Sequence, residues 1–334
     1  MTKLQQHLAS YFQDSDLKQI FTDVIGSDNP QKIEILINHA VKVNLESTVN
    51  KVIFIQSSIG VVFGLCLSNG ENVVLKVYSE KISKSYLDKM NEFQNIFYQE
   101  SFPVPKTLSN IVPFRGTFAG FYSLIEGNIE DAHQPVIRCE LANNLALFSE
   151  IVDKYQLPPV ENFFQQAMGR RLWPIPHNVL FNLEKSSKGA GWIAKKAINA
   201  KRILKAFPFQ KKLAHTDWGT KNSIFQHKKL VGVFDWDSLG AMSEPEMVGR
   251  AAAQFTADWE SGFKVTPSPE EGRDFVEIYQ EYRKRKFTKE EYQVVSASAD
   301  LLIATIARFE HAGGGEQHPY QDLLKECGGQ SFLS

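Results

Sequence analysis

The chain has 334 residues, enough for two domains or for one domain with a large insertion. Its 43% hydrophobic and 22% charged residues are ordinary for a globular protein, and a formal net charge of -1 gives no global pull toward nucleic acid or an anionic membrane. Three scattered cysteines (Cys66, Cys139 and Cys327) without CxxC spacing build neither a disulfide framework nor a zinc site. With no apolar leader and no window of membrane-spanning length, the expectation is a soluble cytoplasmic protein without nucleic-acid or membrane partners.

Apolar residues recur at helical spacing at Leu4, Leu8, Tyr11 and Phe12. They recur again at Ile33, Ile35, Leu36, Ala40 and Val41, after the break at Asp28–Asn29–Pro30. From Lys51 the pattern changes to KVIFIQ, VVFGLCLS and NVVLKVY, three antiparallel strands, with Asn69–Gly70 as the turn between the last two. Tyr86–Glu100 reads as an amphipathic helix with Leu87, Met90, Phe93 and Phe97 on one face, stopping before Pro103 and Pro105. Two further strands are expected at Ile111–Phe118 and Phe121–Ile125. Beyond Gly127 the chain turns helical, at Glu140–Lys154, Glu161–Met168, Asn178–Glu184 and Gly191–Ala206, and later at Glu246–Trp259, Glu271–Arg285 and Glu290–His311. The glycine-rich Ala312–Gly315 reads as a helix C-terminal loop. The division expected is a helical extension over 1–47, a β-rich lobe over 48–127 and a helical lobe over 128–334.

The chemistry concentrates in Leu213–Gly240, LAHTDWGTKNSIFQHKKLVGVFDWDSLG. Two apolar strands, Ser223–Phe225 and Leu230–Phe234, flank a polar turn at Gln226–Lys229. A hairpin brings its ends together, so Asn222 and Asp235 should stand side by side, with Asp217 on the loop leading in. Oxygen-bearing side chains converging there can hold a hard divalent cation and orient a hydroxyl.

With both lobes in view, the chain resembles the protein-kinase-like small-molecule phosphotransferases: aminoglycoside phosphotransferases, choline and ethanolamine kinases, homoserine kinases and their relatives. The likeness runs from about Lys51 to His311 and is sharpest at His215-Thr216-Asp217, Asn222 and Asp235, which match the family's H-G-D-x4-N and I-D-W/F-D/E patterns. It implies an α+β, two-lobed protein-kinase-like fold, with a small antiparallel β-sheet lobe and a mainly helical lobe. It also implies magnesium-assisted transfer of phosphoryl from ATP (or GTP) to a hydroxyl of a small molecule.

Residue by residue, Asp217 matches the catalytic aspartate, Asn222 and Asp235 the Mg2+ ligands, and His215 the histidine that braces the loop. Lys76 matches the strand lysine on the nucleotide phosphates and Glu92 its ion-pair partner. Ser123 and Ile125 fall in the hinge that offers backbone groups to adenine, and Ser57 and Ser58 in the turn that covers the phosphates. There are departures from the family pattern. Thr216 stands where Gly or Asn is usual, Trp218 stands where Leu or Phe is common, and Gln56–Val61 has one glycine in place of a glycine-rich run. The stretch SEPEMVGRAAAQ supplies no aspartate before Asp258 to support the loop.

Asp237 either meets a second metal or caps its turn. The lysine-rich run from Lys195 to Lys212 is expected to be a solvated face. Phe163, Phe164, Trp173, Trp192 and Trp259 are expected in the core. Glu130, Asp131, Glu140, Glu161 and Asp258 are the acidic candidates for an acceptor pocket. Two rival readings stand beside this one: a nucleotide-binding pseudokinase or scaffold on the same fold, and a metal-dependent phosphohydrolase using His215, Asp217, Asp235 and His227.

Overall fold

The computed structural model describes residues 2–57, 59–161, 171–174, 183–314 and 316–334. The helices expected at Glu161–Met168 and Asn178–Glu184, together with Ser58, Phe163 and Phe164, lie wholly or largely outside the described residues. The chain divides into two compact units. Met1–Gln99 and Val104–Ile125 form the first; Glu100–Pro103 and Glu126–Ser334 form the second.

The first unit opens with three helices, α1 (Lys3–Tyr11), α2 (Ser15–Ile25) and α3 (Pro30–Leu45). The middle one was not expected from the apolar stripes. Its ends are nonetheless written locally: the Asp14 carboxylate caps the amides of Asp16 and Leu17, and Gly26 takes the left-handed conformation at φ 70°. Of the residues expected on the α3 core face, Ile33, Ala40 and Val41 are buried. Ile35 is instead 68% exposed, because the helix turns Ile37 inward.

A five-stranded antiparallel sheet follows: β1 (Val49–Ser57), β2 (Val61–Leu67), β3 (Asn72–Val77), β4 (Val112–Phe114) and β5 (Thr117–Ser123), in the order β1-β2-β3-β5-β4. The last two strands meet at Arg115–Gly116, earlier than expected. Both residues have positive φ, the conformation a tight hairpin demands, which makes Ala119 and Gly120 mid-strand residues.

Alternation along the strands gives the sheet two faces. Val61, Phe63, Leu65, Val73, Leu75, Val77 and Phe121 share one core with residues of the three N-terminal helices. Phe21 is its pivot, edge-on to Phe12 at 4.9 Å and to Phe63 at 5.9 Å, and burial of a ring that size stabilises by about 1.5–3 kcal/mol. Lys76 is out of phase with this core and stands on the opposite face, between Val62 and Gly120. Helix α4 (Lys84–Gln99) is tied to the segment before β4: Gln94 Nε2 donates to the Pro105 carbonyl at 2.8 Å and Asn91 Nδ2 to that of Ser109 at 3.2 Å.

The second unit contains α5 (Pro135–Tyr155), α6 (Gly191–Ala206), α7 (Glu244–Ala252), α8 (Pro269–Tyr282), α9 (Lys289–Gly313) and α10 (Pro319–Glu326). Helices α7, α8 and α9 begin one to two residues before their expected starts. In each a capping box, Ser243/Glu246, Ser268/Glu271 or Thr288/Glu291, ties off the first turn, so Glu246 and Glu271 are third helical positions and Glu290 a second, none of them the first. Helix α9 ends at Gly313, with Gly314 left-handed at φ 64°. Two small sheets complete the unit: β6 (Lys212–His215) with β9 (Leu239–Met242), and β7 (Ser223–Gln226) with β8 (Lys229–Val233). Among the described residues no helix is long and apolar enough to cross a membrane.

The lysine-rich run is less solvated than expected. Lys196 pairs with Asp300 at 3.1 Å, both side chains largely buried, and Lys212 pairs with Asp153 at 2.5 Å. Nor are the tryptophans uniformly core: Trp192 is 39% exposed and Trp259 55%.

Candidate active site

Strand β6 delivers His215 to the base of the site, where it pairs across the sheet with Leu239. The imidazole is 1% exposed. Its Nε2 donates to the Phe234 carbonyl at 2.9 Å, and its Nδ1 faces the Ser238 hydroxyl at 3.3 Å. Burial pushes its pKa down, which favours the neutral ring that this pair of bonds requires. His215 therefore clasps the residues on either side of Asp235 and is structurally a brace. Beneath it Trp218, Trp236, Phe102 and Phe148 form an aromatic box, with ring centroids 6.2–6.5 Å apart among the neighbouring pairs. Both indoles are satisfied, Trp218 by the Leu141 carbonyl and Trp236 by that of Val233. The replacement at Trp218 is thus a core residue.

The β7–β8 hairpin does what its sequence implies. Ser223 is opposite Val233, and the Phe234 amide donates to the Asn222 carbonyl at 2.8 Å, so Asn222 and Asp235 leave the same open end. Asn222 Nδ2 donates both to the Asp217 carbonyl (2.7 Å) and to its carboxylate (3.0 Å). With its nitrogen committed to Asp217, the amide keeps its oxygen as the group for any further contact. Asp235 sits in the left-handed region at φ 58°, a conformation that costs a non-glycine residue free energy and that often marks a site of function. Asp237 lies two residues on, in a short 3-10 turn.

Asp217 is half-buried and contacts Lys221 Nζ at 2.8 Å. Burial pushes its carboxyl up and the Asp235 charge adds to that. The Lys221 ammonium and the Arg250 guanidinium outweigh both and hold it below the ordinary carboxylate value.

The expected weakness in loop support is filled by residues the sequence reading passed over. Arg250, on α7, donates through Nε to the Thr216 carbonyl, and Gln254 Nε2 reaches the same oxygen at 3.3 Å. Thr216 Oγ1 donates to the Ser238 carbonyl at 2.7 Å. Helix α7 ends at Ala252, well before Trp259, because the following turn folds onto the loop: the Thr220 amide donates to the Phe255 carbonyl at 2.9 Å. Gly219 fits there since a Cβ would stand 2.9 Å from the Gln254 oxygen. The signal available in MVGRAAAQ was an arginine and a glutamine four residues apart in an otherwise apolar, small-residue stretch.

Of the nucleotide-binding candidates in the first unit, Lys76 is partly buried in β3, its Nζ 5.6 Å from the Tyr78 ring. Glu92 is on the exposed face of α4. The Ser123 amide and hydroxyl are both engaged with Lys106, each at 2.9 Å. Ser57 shares a 3.0 Å hydrogen bond with the Tyr11 hydroxyl. Among the acidic candidates, Glu140 is tied to Lys229 and the Leu230 amide, and Asp131 caps the His133 amide. Asp258 is buried, with one oxygen on the Glu260 amide. Among the described residues no three His, Cys, Asp or Glu side chains converge as a metal site.

A carboxylate at a hairpin mouth, flanked by an amide and a second carboxylate, is the arrangement expected of phosphotransferases built on the protein-kinase-like fold. Solved structures of that fold match this chain over most of its length. One is the amicoumacin kinase hAmiN in complex with AMP-PNP, Ca2+ and Ami: TM-score 0.61, 12% identity, covering 89% of this chain and 93% of that one. A spectinomycin phosphotransferase in an AMP-bound complex matches with TM-score 0.54, 13% identity and 87% and 93% coverage. A Plasmodium vivax ethanolamine kinase matches with TM-score 0.50, 15% identity and 83% and 81% coverage. At these identities the likeness establishes the fold alone. No curated protein sequence matches the chain. The family follows from the sequence itself: the chain belongs to the APH phosphotransferase enzyme family, whose profile matches residues 65–243, more than half its length. It is a small-molecule kinase.

Proposed function

We propose that the protein transfers the γ-phosphoryl group of ATP to a hydroxyl of a small molecule, with Asp217 orienting that hydroxyl and accepting its proton. The observation that carries the reading is the meeting of Asp217, Asn222 and Asp235 at one end of the β7–β8 hairpin. Phosphoryl transfer asks little covalent chemistry of the protein. It asks for neutralised phosphate charge and an acceptor oxygen placed in line.

The Asn222 amide oxygen and the Asp235 carboxylate are hard donors, and they fit a magnesium ion that takes one or two protein oxygens and completes its shell with phosphates and water. When bound, that ion would neutralise charge on the nucleotide phosphates. Lys76 is assigned to the phosphates, and the backbone near Ile125 to the base. Glu92, which faces solvent, is the least supported partner for Lys76. Adenine as the base is favoured by AMP-PNP and AMP in the matched structures; nothing comparable favours GTP.

The test is ADP release with MgATP across a panel of aminoglycosides, choline, ethanolamine, homoserine, methylthioribose and sugars. One acceptor should raise release, and Asp217→Ala should lower kcat by roughly 10^3–10^4-fold while leaving nucleotide affinity near wild type. Asp235→Ala should instead abolish magnesium-dependent nucleotide binding. Unchanged turnover in Asp217→Ala would overturn the assignment.

A further inference from the structure

Lys221 is absent from the roles above, yet its ammonium lies 2.8 Å from the Asp217 carboxylate, closer than the Asn222 amide at 3.0 Å. The spacing of four residues does not explain that contact. Such pairs meet automatically on an α-helix, whereas here residues 217–222 run through a turn into a 3-10 segment, Thr220–Asn222. The turn is pinned on both sides of the lysine. Thr220 Oγ1 donates to the Glu130 carbonyl at 2.6 Å, and Asn222 Nδ2 to that of Asp217 at 2.7 Å. The backbone thus aims Lys221 at the carboxylate.

A second feature converges on the same ammonium. Trp259 is 55% exposed, so core packing does not account for it, and its ring centroid lies 5.8 Å from Lys221 Nζ. The indole is itself seated on Tyr320, a fully buried ring 6.3 Å away at an interplanar angle of 26°, whose hydroxyl donates to the Ala253 carbonyl at 3.3 Å. An aromatic face held in that way gives a cation a defined place beside the carboxylate.

We propose that Lys221 is a further catalytic residue, which leaves Asp217 for the γ-phosphoryl group during transfer, and that Trp259 positions it. The proposal rests on the assignment of Asp217 made above. A hydroxyl within hydrogen-bond reach of Asp217 has its oxygen roughly 2.6–3.2 Å from the carboxylate and about 3–3.5 Å from the phosphorus it attacks. An ammonium 2.8 Å from the same carboxylate, on a flexible four-carbon stem, reaches the oxygens of that phosphoryl group with a small swing.

In the step, the acceptor oxygen bonds to phosphorus, and the bond from phosphorus to the bridging oxygen breaks with its electron pair leaving on ADP. The hydroxyl proton passes to Asp217 and from there to solvent. Lys221 takes no part in the proton transfer, and its charge follows the negative charge. By leaving Asp217 it also stops competing with the hydroxyl for the carboxylate.

The experiment is calorimetric titration of the full chain with MgADP alone and with MgADP plus aluminium fluoride, which mimics the transferring phosphoryl group, so no acceptor need be known. Wild type should bind the fluoride complex at least tenfold more tightly than MgADP. Lys221→Met should bind MgADP within twofold of wild type and lose most of the fluoride-dependent gain, while Lys221→Arg keeps part of it. Trp259→Leu should lose a few-fold of the gain and Trp259→Phe should keep it. The inference is overturned if Lys221→Met keeps the full gain, or if the two affinities fall together with the melting temperature, as a purely structural lysine would make them. A wild-type chain that binds MgADP with no fluoride gain also overturns it, while the assignment of function stands. A wild type that binds no MgADP at all overturns both.

Discussion

The two glycine-bearing loops of this kinase are built in opposite ways. The loop from Thr216 to Ser223 is tied at nearly every residue, by Arg250, Gln254, Ser238, Glu130, Phe255 and its own Asn222. The turn between β1 and β2 has, among its described residues, one side-chain tie, from Tyr11 to Ser57, and one close approach: a Cβ on Gly60 would stand 2.6 Å from the Val77 oxygen. A loop that must hold a carboxylate to within a fraction of an ångström benefits from many small restraints, since each neutral hydrogen bond adds only about 0.5–1.5 kcal/mol. A turn whose proposed part is only to cover phosphates can be positioned by its strand ends. The difference also implies that damage to the first loop should reach kcat, and damage to the second should reach nucleotide affinity.

The largest effect expected is at Arg250. Its guanidinium is part-buried, with the Asp217 charge offsetting part of the cost of desolvation, and it supports the carbonyl immediately before Asp217. Arg250→Met should lower kcat by about 10- to 100-fold through misplacement of the carboxylate. It should also lower stability by roughly 2 kcal/mol, a fall of several degrees in melting temperature for a chain of this size. Thermal unfolding and steady-state kinetics on the same variant check both. Wild-type kcat at a lowered melting temperature would mean that the loop is held without Arg250, and the contrast between the loops would weaken.

The opposite arm is tested at Tyr11. Tyr11→Phe removes one neutral hydrogen bond to Ser57, so MgADP should bind about two- to fivefold more weakly with kcat unchanged. A loss confined to kcat would show that the turn acts on the transition state and is not merely a cover.

How much of this could be read from the chain depends on how local the cause is. The order of strands and helices was legible because alternation and helical spacing are written in neighbouring residues. The Asp217–Asn222–Asp235 meeting was legible because a hairpin has only one way to join its ends. The helix starts at α7, α8 and α9 were placed late although the S/T-x-x-E pattern is present each time. Helix α2 was missed although Asp14 and Gly26 mark its ends. Those signals were local and passed over. Arg250 and Trp259 are different. Their partners lie more than 30 residues away, and neither spacing nor propensity says that a helix end will fold back on residues 216–221. The exposure of Glu92 belongs with the local signals, since Leu87, Met90, Phe93 and Phe97, expected on one face of α4, are all buried and Glu92 lies off that face.

The smallest effect lies at the outermost restraint on the tied loop. Asp153, at the end of α5, holds Lys212 at the start of β6 (2.5 Å) and Arg283 just past α8 (2.7 Å), and β6 leads directly into His215 and Asp217. Burial raises the Asp153 carboxyl, but its bonds to Lys212 and Arg283 more than compensate, so its pKa lies below the ordinary value. A carboxylate depressed in this way stabilises the folded chain fully above its unfolded pKa of about 3.9, and that contribution disappears as pH falls through the lower folded value. Asp153→Asn should therefore lower the melting temperature slightly at neutral pH and flatten its fall below about pH 4, where the wild type is titrating this group. With more than a third of the side chain in solvent, screening holds the effect under about 1 kcal/mol. Parallel melting curves from pH 3 to pH 7 distinguish the outcomes. Convergence of wild type and variant at low pH is the expected result; a constant offset would mean that Asp153 acts through packing, and that restraint of the loop stops at Arg250.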